Sequence, residues 1–125
     1  MARYVPILQQ LASGDVPELE LLEWRAGALR LVLGCVQTRL EVVFDAAFSY
    51  RVVDEGDDLV ASASIASPGR VFYRVEDSDY LAWFIGRGHG VRDGQGLQHY
   101  SILTINEIVD VLSLGDPAVA ALGSQ

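Results

Sequence analysis

The feature that most constrains the fold is a long alternation of apolar side chains in the middle of the chain. Within "RLEVVFDAAFSYRVVDE", every second side chain is apolar: Leu40, Val42, Phe44, Ala46, Phe48, Tyr50 and Val52. The residues between them form a mixed, partly charged face. A two-residue period predicts an antiparallel strand with one face on a core. Because the run would span roughly 45 Å at ~3.3 Å per residue, a bend or bulge is expected near Ala46 and Ala47.

Shorter patterns on both sides predict further strands. "ELELLEW" and "ALRLVLGCV" predict a hairpin that turns at Ala26 and Gly27, with every second residue from Leu29 to Cys35 on one face. "RVFYRVE" and "LQHYSILTI" predict two more strands. "NEIVDVLS" is compatible with a helix, but its β-branched content and short length favour a hairpin partner that turns at Asn106 and Glu107.

Three segments predict helices. "YVPILQQLAS" predicts an N-terminal helix within 1–14, and "DEGDDLVASASIASPG" predicts a second one. "DSDYLAWFIG" predicts a third, with Asp77 or Ser78 as its N-cap and Gly86 as a left-handed residue after it. The predicted fold is a single α+β domain over 1–125. It comprises an antiparallel sheet of about five or six strands, two or three short helices mainly on one side, and a C-terminal tail at 115–125.

Composition excludes several classes of function. All nine basic residues are arginine, so the lysines of Walker phosphate loops and of pyridoxal phosphate enzymes have no counterpart. No cofactor is expected. Seventeen acidic residues give a net charge of −8, which disfavours binding to nucleic acid through phosphate repulsion. The same charge would attract a basic protein partner.

The hydropathy pattern predicts a cytoplasmic protein that does not bind membranes. No apolar run approaches the ~20 residues of a membrane span, and the polar pair Gln9 and Gln10 comes too early for the core of a signal peptide. The single cysteine, Cys35, lies in an apolar run and is expected to be a small buried hydrophobe.

The glycine-rich stretch "GRGHGVRDGQG" has two possible interpretations. A dinucleotide-binding loop needs a strand before it and a helix after it, whereas here the predicted order is reversed. Two imidazoles and a carboxylate, at His89, Asp93 and His99, could instead hold a divalent metal ion. The other interpretation is a plain connection between a helix and a strand.

Acidic residues form the second candidate site. Asp54, Glu55, Asp57 and Asp58 either charge and cap the start of a helix or form a partner-binding surface. In the second case they extend the mixed face of the long strand, which carries Glu41, Asp45 and Arg51. No catalytic residue is predicted, because no serine lies in a GxSxG elbow. Trp24, Tyr73, Trp83 and Tyr100 could line a groove, although aromatic residues at such spacings usually belong to a core.

Three stretches, "YRVVDEGD", "YLAWF" and "HYSILTINEIVDVLS", resemble a family of small stand-alone bacterial proteins of unknown function. Some of these are related to immunity proteins of bacterial toxin systems. The resemblance covers roughly Glu18 to Pro117, and its motifs are mostly structural: a strand that enters an acidic turn, an aromatic helix and a terminal strand pair. It implies no catalytic residue. The proline-rich end of such relatives is reduced here to Pro117, and the opening helix is peculiar to this chain.

Two functional hypotheses follow from the sequence. The first is a non-enzymatic protein-interaction domain, with an immunity-type protein that binds a bacterial toxin as its specific form. The alternative is a small metal-dependent or hydrolytic enzyme that uses the region of His89, Asp93 and His99.

Overall fold

The computed structural model describes residues 2–8, 16–35, 38–54, 71–87 and 96–124. Strands make up 66% of these residues and helix only 10%. The strands are β1 (Arg3–Ile7), β2 (Glu18–Arg25), β3 (Ala28–Gly34), β4 (Thr38–Phe44), β5 (Ala47–Asp54), β6 (Phe72–Glu76), β7 (Gln98–Leu103), β8 (Glu107–Ser113) and β9 (Ala118–Ser124). The one helix of the described residues is α1 (Asp79–Arg87).

The strands form two antiparallel sheets. The five-stranded sheet has the order β1-β6-β7-β8-β5, and the four-stranded sheet has the order β2-β3-β4-β9. The prediction of an α+β fold with one sheet and two or three helices is therefore wrong, because the chain is mostly β and its strands divide between two sheets. None of the described residues forms a helix of the length and hydrophobicity that crossing a bilayer requires.

The long alternating run crosses from one sheet to the other. Leu40, Val42 and Phe44 are buried in the four-stranded sheet, as the period predicts. The bend expected near Ala46 is a turn at residues 45–46 that ends β4. Beyond it, β5 pairs with β8 in the five-stranded sheet. The predicted bend is therefore confirmed, and it separates two strands that belong to different sheets.

The main core lies between the two sheets. Alternate residues of β3 and β4 supply one side, and alternate residues of β7 and β8 supply the other: Leu29, Leu31, Leu33, Leu40, Val42, Phe44, Tyr100, Ile102, Val109 and Val111. The rings of Phe44 and Tyr100 meet across the sheets with 5.5 Å between their centres. Each such side chain contributes about 1.5–3 kcal/mol when fully buried, so the sandwich core provides most of the driving force for folding.

Several local predictions are confirmed. β2 and β3 form a hairpin whose two-residue turn has positive φ at Ala26 (52°) and Gly27 (83°), the pattern of a type I′ turn. β7 and β8 form the hairpin that "NEIVDVLS" favours. Ser78 is the N-cap of α1, because its hydroxyl oxygen accepts the N–H of Leu81 at 3.0 Å.

Other local predictions are wrong. Residues 3–7 of the expected N-terminal helix form strand β1, which pairs with β6 and carries Pro6 at the sheet edge, a position where proline is tolerated. The expected tail contains β9, which pairs with β4. Gly86 lies inside α1. The second expected helix, at 54–69, falls on residues outside the described part of the chain, apart from Asp54 at the end of β5.

Candidate functional site

A chain of four hydrogen-bonded polar side chains, called the buried chain below, crosses the outer face of the five-stranded sheet beneath α1. It consists of Ser78 at the start of α1, His99 on β7, Asp110 on β8 and Arg51 on β5. Three of them are buried, and Arg51 is partly exposed. Sheet register explains the assembly, because Arg51 lies directly opposite Asp110 across the β5–β8 pair. Val109 and Val111, the neighbours of Asp110, point into the sandwich core. Asp110 therefore points to the opposite face, toward α1.

The hydrogen bonds of this chain converge on Asp110 from two sides. The Oγ atom of Ser78 accepts the N–H of Leu81 and is also hydrogen-bonded to Nδ1 of His99 at 2.6 Å. The Nε2–H of His99 then donates to Oδ1 of Asp110 at 2.7 Å. On the other side, the Nε–H of Arg51 donates to Oδ2 of Asp110 at 2.9 Å. Each carboxylate oxygen thus has a donor, and both nitrogens of the His99 ring are hydrogen-bonded.

The charge of Asp110 is stabilised by these donors. Burial by itself raises the pKa of Asp110, but the hydrogen bonds and charges of His99 and Arg51 outweigh it and lower the pKa below its ordinary value. Asp110 is therefore ionised at neutral pH. Its charge is balanced by Arg51, whose guanidinium also lies over the ring of Tyr80, 4.4 Å from the ring centre.

Ser78, His99 and Asp110 are linked in the order of a serine hydrolase triad, but the ring nitrogens are exchanged: Ser78 contacts Nδ1 and Asp110 contacts Nε2, whereas a triad has Nε2 toward the serine and Nδ1 toward the aspartate. The surroundings also favour a structural role. Ser78 is only 9% exposed, and its oxygen is already the cap of α1. His99 and Asp110 are almost completely buried. A nucleophile must reach a substrate carbonyl, whereas this hydroxyl joins the helix to the sheet. These hydrogen-bonded side chains therefore hold α1 and Arg51 in position.

The structure describes only one of the three residues predicted for a metal site. His99 is buried, and both of its ring nitrogens are hydrogen-bonded, so it could bind a metal only by giving up Ser78 or Asp110. His89 and Asp93 lie outside the described residues. Within the described ranges, no group of three histidine, cysteine, aspartate or glutamate residues could hold a metal ion.

The structure likewise describes only one of the four residues of the predicted acidic surface. Asp54 is the last residue of β5 and is exposed, while Glu55, Asp57 and Asp58 lie outside the described residues. The expectation that Glu41 and Arg51 share one face with these residues is wrong. Glu41 lies in the four-stranded sheet and pairs with Arg30 at 2.5 Å, whereas Arg51 lies in the five-stranded sheet.

An open pocket of about 450 Å³ lies at the edge of β5, beside the buried chain. Its lining comes from β5 and from the first two turns of α1: Ser49, Tyr50, Arg51, Asp79, Tyr80 and Trp83. Consecutive residues of a strand point to opposite faces. Since Ser49, Tyr50 and Arg51 are consecutive, the pocket includes the edge of the strand itself.

Tyr80 connects the pocket to the buried chain. Its hydroxyl group is 2.5 Å from the hydroxyl of Ser49, and its ring meets the His99 ring edge-on with 5.4 Å between the centres. Burial raises the pKa of Tyr80, although the hydrogen bond to Ser49 and the charge of Arg51 oppose the shift. The phenol is therefore neutral at physiological pH and can donate or accept a hydrogen bond. Both Tyr80 and Arg51 are held before any ligand arrives.

Exposed aromatic side chains lie in the lining of this pocket or contact it. Trp83 is 55% exposed, Trp24 is 40% exposed and Tyr50 is 38% exposed. Trp24, on β2, contacts Tyr50 on β5 with 5.4 Å between the ring centres, so the edges of the two sheets meet here. Trp24, Tyr50, Arg51, Val52 and Trp83 are called the edge surface below.

Sequence patterns identified only part of this site. Of the four aromatic residues considered for a groove, Tyr73 and Tyr100 are buried, as expected for a core. Trp24 and Trp83 are not. The buried chain gave one signal in the sequence, namely a single aspartate inside the apolar strand "EIVDVLS". An isolated charge in a buried strand needs partners, but the sequence does not show which ones.

Comparisons with protein-family models, curated proteins and solved structures found no match to this chain. The resemblance to immunity-like bacterial proteins therefore stays a prediction.

Proposed function

We propose that this protein is a non-enzymatic protein-interaction domain whose partner contacts the edge surface. In its specific form, the proposal is an immunity-type protein that binds a basic bacterial toxin. One observation carries the proposal. Trp83 and Tyr50 are exposed beside Arg51 in the pocket lining, and exposed Trp24 contacts Tyr50 where the edges of the two sheets meet. Tryptophan, tyrosine and arginine are the residues that most often dominate the binding energy of protein interfaces.

The fixed position of Arg51 supports the same conclusion. Asp110 holds its Nε atom, and Tyr80 lies under its guanidinium plane. A side chain that is already ordered loses less conformational entropy when a partner binds. The pocket beside it is of the size that commonly accommodates part of a ligand, about 300–1,000 Å³.

Charge supports a basic partner. The net charge of −8 attracts a positively charged protein over a range of about one Debye length, ~8 Å at physiological salt, and raises its association rate. Arg51 is paired with Asp110, and the other charged residue of the pocket lining, Asp79, is exposed and negative.

The test is affinity capture from the cells of origin. The wild type should retain a specific partner, and Trp83→Ala and Tyr50→Ala should each lower its affinity by about tenfold or more, as expected for central interface residues. Ile105→Ala is the matched control, because Ile105 is 52% exposed but lies in the turn between β7 and β8. Equal retention by all variants, or no specific partner at all, would contradict the proposal.

A second candidate, a hydrolytic enzyme, is favoured by one observation, the hydrogen-bonded order of Ser78, His99 and Asp110. It requires the first turn of α1 to release the Ser78 hydroxyl and the His99 ring to turn so that Nε2 faces Ser78. Treatment with a fluorophosphonate probe followed by peptide mapping tests it: covalent labelling of Ser78 would favour an enzyme, and an unlabelled Ser78 would count against it. The metal-dependent form of this alternative, with His89, Asp93 and His99, is tested by metal analysis of the purified protein.

A further inference from the structure

We infer that the partner binds as an extended segment that adds a strand to the five-stranded sheet at β5. This inference rests on the proposed function and specifies how the edge surface is used. Addition of a strand supplies affinity through backbone hydrogen bonds and specificity through pockets for alternate side chains.

One edge of β5 has no partner strand among the described residues. Its other edge pairs with β8. Tyr50 and Val52 are both substantially exposed. The pocket is lined by three consecutive residues of β5, so an approaching chain can reach the backbone of the strand from that side.

β5 carries fewer protecting devices than the edge strands β1 and β2, although it ends in the charged Asp54. Natural sheet edges are blocked by proline, by lysine and other charges, or by bulges. β1 carries Pro6, and β2 carries four charged side chains and a bulge after Leu19. β5 has no proline or lysine, and its bulge lies at the start, between Ala47 and Ser49. Its one cation, Arg51, is bound to Asp110 on the outer face of the sheet.

The two faces beside this edge determine the chemistry of the bound segment. On the outer face, the pocket walls are the rings of Tyr80 and Trp83. On the inner face, Trp24, Tyr50 and Val52 are exposed. Since neighbouring residues of a strand point to opposite faces, the segment should carry consecutive apolar or aromatic residues, one for each face. Its flanks should be basic, because the chain has a net charge of −8.

The charge also argues against a second copy as the occupant. Pairing two β5 edges would bring together two chains that each carry a net charge of −8, and like charges oppose close approach. A basic segment of a different protein meets the same apolar faces with an attractive charge.

A library of short linear peptides displayed on phage, selected on the full immobilised chain, tests this inference. Selected peptides should contain consecutive apolar residues flanked by arginine or lysine. A synthetic peptide from this set should slow the hydrogen exchange of β5 amides, which report backbone pairing. Proline scanning of the peptide should reduce affinity about tenfold or more at alternate positions, where N–H groups pair with β5. Trp83→Ala should weaken binding, and Ile105→Ala should not.

Three outcomes would overturn the inference. The first is selected peptides that tolerate proline throughout or leave β5 exchange unchanged. The second is a selection that yields no binder while a captured whole protein still depends on Trp83, in which case the interaction surface stands and strand addition is wrong. The third is a dimer in sedimentation that Trp83→Ala dissociates, which would make a second copy the occupant. Loss of Trp83 dependence in every assay would instead contradict the proposed function itself.

Discussion

Replacing Asp110 by asparagine tests whether the buried polar chain holds the fold together. The substitution keeps the shape of the side chain but leaves one acceptor oxygen where the carboxylate has two. His99 and Arg51 each donate to a separate oxygen of Asp110, so one of these donors would face an amide N–H instead. The expected result is a large loss of stability with little change in structure.

The size of the effect follows from the contacts. A hydrogen bond to a charged group contributes about 1.5–3 kcal/mol, and a buried donor left without an acceptor costs about 1–3 kcal/mol. The side chain of Arg51 is 44% exposed, so water can replace part of what it loses. The expected loss is therefore about 3 kcal/mol. For a domain of 125 residues this lowers Tm by roughly 10–15 °C.

Urea unfolding followed by tryptophan fluorescence and circular dichroism measures this loss. Glu41→Gln is the matched control, because Glu41 also binds the Nε atom of an arginine but lies at the surface. The control should lose less than about 1 kcal/mol, as surface ion pairs do. If Asp110→Asn is no more destabilising than Glu41→Gln, the reasoning about the buried chain is refuted.

The pH dependence provides an independent check. The pKa of Asp110 in the folded protein lies below its ordinary value of 3.8. A carboxyl group with a lowered folded pKa stabilises the fold fully above its unfolded pKa, and this contribution disappears as the pH falls through the folded value. The stability difference between wild type and Asp110→Asn should therefore shrink as the pH falls below about 4.

Three further substitutions test other parts of the structure, each by thermal unfolding. Ser78→Ala removes the cap of α1 and a hydrogen-bond partner of His99, so it should cost about 1–2 kcal/mol; an unchanged Tm would contradict the capping role. Ala26→Asn should stabilise the protein by about 0.5–1 kcal/mol, because asparagine tolerates the positive φ at this turn position; destabilisation would contradict this. Gly34→Ala should cost about 1 kcal/mol or less, since the atoms nearest to the added carbon belong to the Glu20 side chain, whose partly exposed ion pair with Arg39 would have to shift; a larger loss would mean that Glu20 cannot move.

The elements that could be predicted from sequence are those whose pattern comes from one buried face. Leu29, Leu31 and Leu33 alternate because β3 lies on the sandwich core, and the start of α1 was visible in its capping serine. β1 and β9 were missed for a physical reason. Tyr4 and Leu8 have a helical spacing, and "AVAALGS" is rich in alanine, so pairing with β6 and β4 overrides the local preference in both segments.

The candidate site was harder to predict than the strands. The hydrogen bonds of the buried chain join Arg51 to Asp110 and Ser78 to His99, pairs that are far apart in the sequence. Only the register of β5, β7 and β8 brings them together. Trp83 and Tyr50 look like core residues by composition, and their exposure depends on where the sheet ends. An unpaired sheet edge is a property of topology, which the local pattern does not contain.

The pairing of β4 with β9 has a consequence for synthesis of the chain. The partners Thr38 and Ser124, and Val43 and Ala118, lie in widely separated parts of the sequence, so β4 leaves the ribosome long before its neighbour exists. Until residues 118–124 have been made, the β4 edge beside buried Val42 and Phe44 has no strand to cover it. Such nascent chains rely on late, slow closure of the sheet. Premature termination just before β9 should therefore yield aggregates that chaperones bind, and not a shortened soluble domain.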